Sequence, residues 1–186
     1  SYHCHHCYQK HDHGKDLDEK LMIKVANQMV DAGVAMMDIE GGEPLLRFDR
    51  LCSLLSSIDH RCELWVNTTG AGLKEGQIEQ LKKSGLFGVM VSIHSPSADA
   101  HDEFTGIQGS FEVACDFIRD CSREGLVVAI NTVLVEEDLQ ADKLDDLMLL
   151  ATELGCHFVQ LIHPKPAGSW LNSQDEVGTS DKMIRY

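Results

Sequence analysis

Cys4 and Cys7 are the first residues of this 186-residue chain whose type and spacing could do chemistry, in the run Ser1-Tyr2-His3-Cys4-His5-His6-Cys7-Tyr8. Thiolates are soft ligands. Two of them three residues apart can grip one metal from a tight loop, which suits zinc or an iron–sulfur cluster. A CxxC pair alone also fits a zinc knuckle or a redox dithiol. The second constellation is Gly41-Gly42-Glu43-Pro44, directly after an apolar run over residues 34–39. Paired glycines there let a backbone approach a ligand closely or adopt unusual dihedrals. Glu43 offers a carboxylate to an ammonium group, and Pro44 fixes the exit. Alone, the same four residues would serve as an ordinary strand-to-helix turn.

The elements that position these residues alternate in type. Leu17, Leu21, Met22, Val25, Met29 and Val30 recur at helical spacing, with Asp16 able to cap the start and Gly33 the end. Residues 34–39 read as a buried parallel strand. A helix over 48–58, a strand over 63–67, a helix over 74–84 and a strand over 88–93 follow. Ser110 opens a further helix that uses Val113, Ala114, Phe117, Ile118 and Cys121. A strand over 126–134, a helix over 139–154 and a strand over 157–162 complete the pattern. Glycine closes a helix just before a strand at Gly33, Gly85, Gly125 and Gly155, the mark of a left-handed C-cap. Five such units in strict alternation imply a parallel α/β sheet with right-handed crossovers. Periodicity does not separate an open doubly wound sheet from a partial barrel. In either, polar residues at the carboxyl ends of strands gather at the active face, and Gly41, Thr68, Ser92, Asn131 and His163 fall near such ends.

Composition narrows the class. The formal charge is −14, with 30 acidic residues against 16 basic ones, which argues against nucleic-acid binding through a basic face and for a solvated acidic surface. No run is long and apolar enough for a membrane span, and residues 1–16 do not read as a signal peptide. Seven cysteines without a leader point to a reducing compartment, and so to the cytoplasm.

Cysteines, a helix, a strand and then GGEP resemble the radical S-adenosylmethionine (radical SAM) superfamily, whose hallmark is CxxxCxxC followed by GGEP at the end of the second barrel strand. Cys4 and Cys7 match its last two cysteines. The first would fall immediately before Ser1, and the first strand would be missing. The resemblance covers residues 1–166 as an N-terminally truncated core barrel, with 167–186 as a linker to a further region. Asn67-Thr68-Thr69-Gly70 resembles the Thr-Asn-Gly after the third strand, with Thr69 where Asn is common. Val91-Ser92-Ile93-His94 resembles the fourth strand, and His101-Asp102 with 106–111 follow as in the peptide-modifying, SPASM-type branches. His6 stands where a larger aromatic usually packs near adenine.

The resemblance implies a partial parallel (β/α) barrel of the TIM-barrel-like type. It implies a 4Fe–4S cluster on Cys4 and Cys7 with a third thiolate, and S-adenosylmethionine contacted by His6, Gly41, Gly42, Glu43, Pro44, Thr68, Thr69, Ser92 and Asn131. Reductive cleavage of that cofactor would give a 5′-deoxyadenosyl radical that abstracts hydrogen from a substrate. The electron would come from a donor such as flavodoxin or ferredoxin, and the substrate would be a peptide, a protein or a small molecule. An enzyme of cofactor or tetrapyrrole biosynthesis in the same superfamily is the nearest alternative, and a non-catalytic zinc module on Cys4, Cys7 and the histidines is the more distant one.

The remaining candidates read mostly as structural. Cys52, Cys115, Cys121 and Cys156 sit in helical or strand patterns as core fillers, and Cys115 and Cys121 do not share a helical face. Cys62 fits either reading. His3, His5, His6, His11 and His13 form a dense cluster best read as a solvated loop. His94 and His163 each close a strand on the active face and could bind substrate or move a proton. Glu136-Glu137-Asp138 reads as a helix-start acidic run.

Overall fold

The structure is a computed structural model, and it describes Cys7, residues 14–134, 141–165 and 167–171. Five strands, β1 (Met36–Ile39), β2 (Glu63–Thr68), β3 (Leu86–Ser92), β4 (Val127–Val133) and β5 (Phe158–Ile162), form one sheet. All neighbours are parallel and the order in space is the order in the chain. That order settles what periodicity left open. Right-handed crossovers that always step in the same direction put every connecting helix on one face and curl the sheet, whereas a doubly wound sheet needs a reversal of order. The result is a half-barrel.

The two faces carry different cores. On the helical side, Leu64, Val66, Val89, Val91, Val128 and Ile130 pack against α2 (Phe48–Ser57), α3 (Gln77–Lys83), α5 (Ser110–Arg123) and α6 (Ala141–Glu153). On the concave side, Trp65, Met90 and Ala129 form a separate buried cluster. The registers Trp65–Gly88, Met90–Ala129 and Asn131–Gln160 line up that face. Gly88 is glycine because the Trp65 ring lies on it: a Cβ there would sit 2.6 Å from Cζ3 and 2.8 Å from the Val127 carbonyl oxygen.

Several boundaries differ from expectation for local reasons. α1 (Glu19–Asp31) is capped by Asp18, whose carboxylate accepts from Leu21 N at 3.1 Å. Asp16 instead pairs with Arg50 at 2.9 Å. The helix has two adjacent apolar stripes. Met22, Ile23, Ala26 and Val30 pack on the core, while Leu17, Leu21, Val25 and Met29, expected inside, are exposed. α3 starts later than expected because Gly76, at φ 78°, stands at its N-cap. The four helix-closing glycines all have positive φ, as their placement implied. The acidic run 136–138 and the histidines before residue 14 lie outside the described residues. Among the described residues, no helix is long and apolar enough to cross a membrane.

One helix was not expected at all: α4 (Ala98–Thr105), whose buried face is polar, built from His101, Asp102 and Thr105. Asp102 supplies the N-terminal cap that Gly109, lacking a side chain, does not give α5. Its carboxylate accepts from Phe111 N (2.9 Å), Ser110 Oγ (2.9 Å), Gly109 N (2.5 Å) and Gln108 Nε2 (3.1 Å). Desolvation pushes its pKa up, but these donors and the neighbouring His101 outweigh that, and it lies below the ordinary carboxylate value. A folded pKa below the unfolded one gives stability that is full above the unfolded value and is lost as pH falls through the folded one. Asp102→Asn should therefore lower the melting temperature at neutral pH and flatten its decline below about pH 4. Thermal melts of both proteins from pH 7 to 3 check this. Parallel curves would leave Asp102 without an electrostatic role.

Candidate active site

Two loops at the carboxyl ends of β1 and β2 are tied together by one carboxylate. Glu43 Oε1 accepts from Leu45 N (3.1 Å) and the Thr68 hydroxyl (2.7 Å), and Oε2 accepts from Thr69 N (2.9 Å) and the Thr69 hydroxyl (2.6 Å). Thr68 Oγ1 in turn accepts from Gly70 N at 2.9 Å. Two oxygens with two lone-pair positions each are thereby filled. Pro44 begins the short 3₁₀ turn Pro44–Arg47, where its missing N–H costs nothing. A second stitch runs between the same strands, where Asn67 Nδ2 donates to Glu40 Oε1.

Glu43→Ala should loosen both loops, since it strands the buried Thr68 hydroxyl and the Thr69 N–H. The expected loss is about 1–3 kcal/mol of stability, read in thermal or denaturant melts. Unchanged stability would mean that water replaces the carboxylate at no cost.

Gly41 and Gly42, enclosed by these stitches, are exposed. Neither has positive φ, and a Cβ added to either would meet no atom of the described residues within 4 Å. A left-handed backbone and packing against the described residues are thus excluded as reasons for the pair. Close approach of a ligand to bare backbone remains.

Farther round the sheet, Ser92 and Asn131 are register partners on the concave face. Asn131 Oδ1 is buried with no hydrogen-bond partner among the described residues, as are Asn67 Oδ1 and Trp65 Nε1. Cys7 is held by the 3₁₀ turn Gly168–Trp170 that follows β5: its carbonyl accepts from Ser169 N (3.0 Å) and Ser169 Oγ (3.1 Å). Cys4 and His6 lie outside the described residues, among which no cluster of three His, Cys, Asp or Glu could hold a metal.

The structure gathers Gly41, Gly42, Glu43, Pro44, Thr68, Thr69, Ser92 and Asn131 at the carboxyl ends of neighbouring strands. His94 belongs to the framework. Its Nδ1 accepts from Val133 N at 3.4 Å, and its ring stacks on His101 (5.9 Å) and packs on Phe104 (4.6 Å). His101 Nδ1 accepts from His94 N at 3.2 Å, and burial lowers its pKa despite Asp102. Both rings therefore keep Nδ1 as acceptor. His163 is exposed one residue past β5.

The other cysteines behave as core atoms: burial pushes the thiols of Cys115 and Cys156 up to about 11 and raises those of Cys121 and Cys62. Cys115 and Cys121 are both buried even though they lie far apart around α5, because that helix buries a broad face. Asp38, Glu40, Trp65 and Asn67 were missed as candidates. The signal for them was two acids alternating with apolar residues just before the glycines.

Comparison with known proteins agrees with this geometry. The family model described as the radical SAM superfamily matches residues 1–150. An AdoMet-dependent heme synthase from Oleidesulfovibrio alaskensis is 30% identical over 159 residues, which are 82% of this chain and 39% of that protein. The chain thus spans about two-fifths of the length of that relative. Among solved structures, Streptococcus suis SuiB bound to precursor peptide SuiA aligns with a TM-score of 0.76 at 17% identity, over 96% of this chain and 39% of its own. Methylornithine synthase (PylB) aligns with a TM-score of 0.76 at 12% identity, over 99% of this chain and 57% of its own. These two likenesses establish the partial TIM-barrel-like fold. The superfamily uses a 4Fe–4S cluster and S-adenosylmethionine, and with its model covering 150 of 186 residues, this chain belongs to the radical SAM superfamily.

Proposed function

We propose that the protein binds a 4Fe–4S cluster through Cys4, Cys7 and a third thiolate, cleaves S-adenosylmethionine reductively and abstracts hydrogen from a peptide or protein. The observation that carries this reading is the bare backbone at Gly41 and Gly42, held by Glu43, Thr68 and Thr69 at the end of β1. A cluster held by Cys4, Cys7 and a third thiolate would supply the one-electron reduction of the cofactor that hydrogen abstraction from substrate needs.

The chain's own residues bind and orient. Glu43 spends its lone pairs on the two loops, so the cofactor's ammonium meets backbone carbonyls that this carboxylate holds in place. Asn131 Oδ1 and Ser92 face the concave side, where the amide oxygen suits a hydroxyl of the cofactor's sugar and the serine hydroxyl suits either that sugar or the cofactor's carboxylate. Ser169 anchors the strand of chain that carries Cys7. His6 completes the contacts near adenine. A flavodoxin or ferredoxin supplies the electron, and the cytoplasm is the compartment that suits the thiols. The identity to a heme synthase supports a second reading, a tetrapyrrole substrate.

The test is spectroscopic. Full-length protein reconstituted without oxygen and reduced should show a cluster EPR signal that changes when S-adenosylmethionine is added. Gly42→Ala should retain the melting temperature and lose the change. A signal indifferent to the cofactor in the unaltered protein would contradict the proposal.

A further inference from the structure

The helical face of β1 is set by Met37 and Ile39, which pack against the main core. Asp38 between them faces the concave side, in register with Trp65. Glu40, the next residue on that side, accepts from Asn67, whose register partner is Met90 of the concave cluster. Two acidic residues thus follow one another on the concave side, one in β1 and one just past its end, with strand spacing putting their Cα atoms about 7 Å apart. None of the ion pairs among the described residues includes Asp38. Like charges placed this way repel, and Asp38 is exposed to whatever enters the half-barrel.

Two orphaned groups adjoin the acids. Trp65 is 4% exposed, yet its Nε1 has no partner among the described residues. Its Cε3–Cζ3 edge lies over Gly88, so the N–H, on the opposite edge of the indole, points away from β3. Asn67 gives its amide nitrogen to Glu40, which leaves Oδ1 turned the other way, buried and without a partner among the described residues. Buried polar groups without partners are costly and rare, and a ligand that satisfied them would account for their retention.

The geometry points to a cation-recognition subsite on the concave face, in which Asp38 and Glu40, the latter held by Asn67, receive an ammonium or guanidinium group of a peptide substrate and Trp65 Nε1 donates to an amide carbonyl beside them. The acceptors outnumber the donors, and the one donor calls for the kind of oxygen that a peptide carries next to every side chain. Partial desolvation, and then repulsion from Glu40, raise the pKa of Asp38; a bound cation would relieve the second cause. A substrate bearing several carboxylates would meet repulsion here. The inference rests on the proposed function and narrows its substrate to a peptide with lysine, arginine or an amino terminus at the reacting end.

Calorimetric titration of the reconstituted full-length protein with acetyl-Gly-Xaa-Gly-amide, where Xaa is lysine, arginine, norleucine or glutamate, reads the subsite without turnover. The lysine and arginine peptides should bind about tenfold or more tightly than the norleucine peptide, the gain of a charge-assisted contact. Asp38→Asn should remove that preference, and Asp38→Glu should keep part of it. n-Butylammonium binding as tightly as the lysine peptide would retain the subsite and assign it to a free amine. Equal affinity for lysine and norleucine peptides would overturn the proposal, as would a preference that survives in Asp38→Asn. Loss of S-adenosylmethionine affinity in Asp38→Asn, in step with the lysine peptide, would give the carboxylate to the cofactor and overturn it too. Failure of the unaltered protein to cleave the cofactor would count against the proposed function instead, since charge preference needs no cleavage.

Discussion

Cys7→Ala should leave the half-barrel folded and the protein without a working cluster. The fold should survive because Cys7 is tied to Ser169 through its backbone carbonyl, which alanine keeps. The chemistry should fail because a cubane held by three thiolates loses a third of its protein ligands. Iron and sulfide should fall from about four of each per chain to near background, with unchanged far-ultraviolet circular dichroism. None of the described cysteines stands ready as a replacement: Cys62, Cys115 and Cys121 are buried in the core and Cys52 and Cys156 pack against it. A Cys7→Ala protein with full iron content would mean that other side chains hold the cluster. A colourless protein with one zinc per chain would favour the non-catalytic module.

Gly88→Ala should be the most damaging small change on the concave face. The added Cβ would lie 2.6 Å and 2.7 Å from the Trp65 ring and 2.8 Å from a β4 carbonyl oxygen, so it is pressed from a side chain and from backbone at once. Moving the indole disturbs its contacts with Phe87 (5.5 Å) and Phe158 (5.7 Å). Overpacking of this kind costs about 3 kcal/mol, which for a domain of this size lowers the melting temperature by roughly 6–12 °C. Differential scanning calorimetry checks it. A melting temperature within a degree of the unaltered protein would show that the indole has another place to lie.

The contrast between Gly88 and Gly42 shows what can be read from a chain and what cannot. GGEP stands out because two glycines, an acid and a proline follow an apolar run, and among the described residues nothing packs on the pair to require glycine. Gly88 looks like any strand glycine until Trp65 is seen across the register. Strand order was equally hidden. Alternation of helices and strands is local, but whether successive strands step one way or reverse depends on long-range pairing. α4 escaped notice because its buried face is His101, Asp102 and Thr105, polar residues that carry no hydrophobic period. The face of α1 was misjudged because two apolar stripes adjoin, and only the position of β1 at the sheet edge decides which is covered. Asp38 and Glu40 were legible as acids in a strand, but their partners, Trp65 and Asn67, lie more than 25 residues away in sequence. Cys4 and His6 rest on the motif alone.

Product analysis tests the central claim most directly. Full-length protein, reconstituted and reduced without oxygen, is incubated with S-adenosylmethionine, and 5′-deoxyadenosine and methionine are quantified by mass spectrometry beside a Cys7→Ala control. Both products are expected in equal amounts from the unaltered protein and neither above background from the control. Absence of 5′-deoxyadenosine from a protein that carries its full complement of iron and sulfide, or its undiminished release by the control, would contradict a radical mechanism at this site.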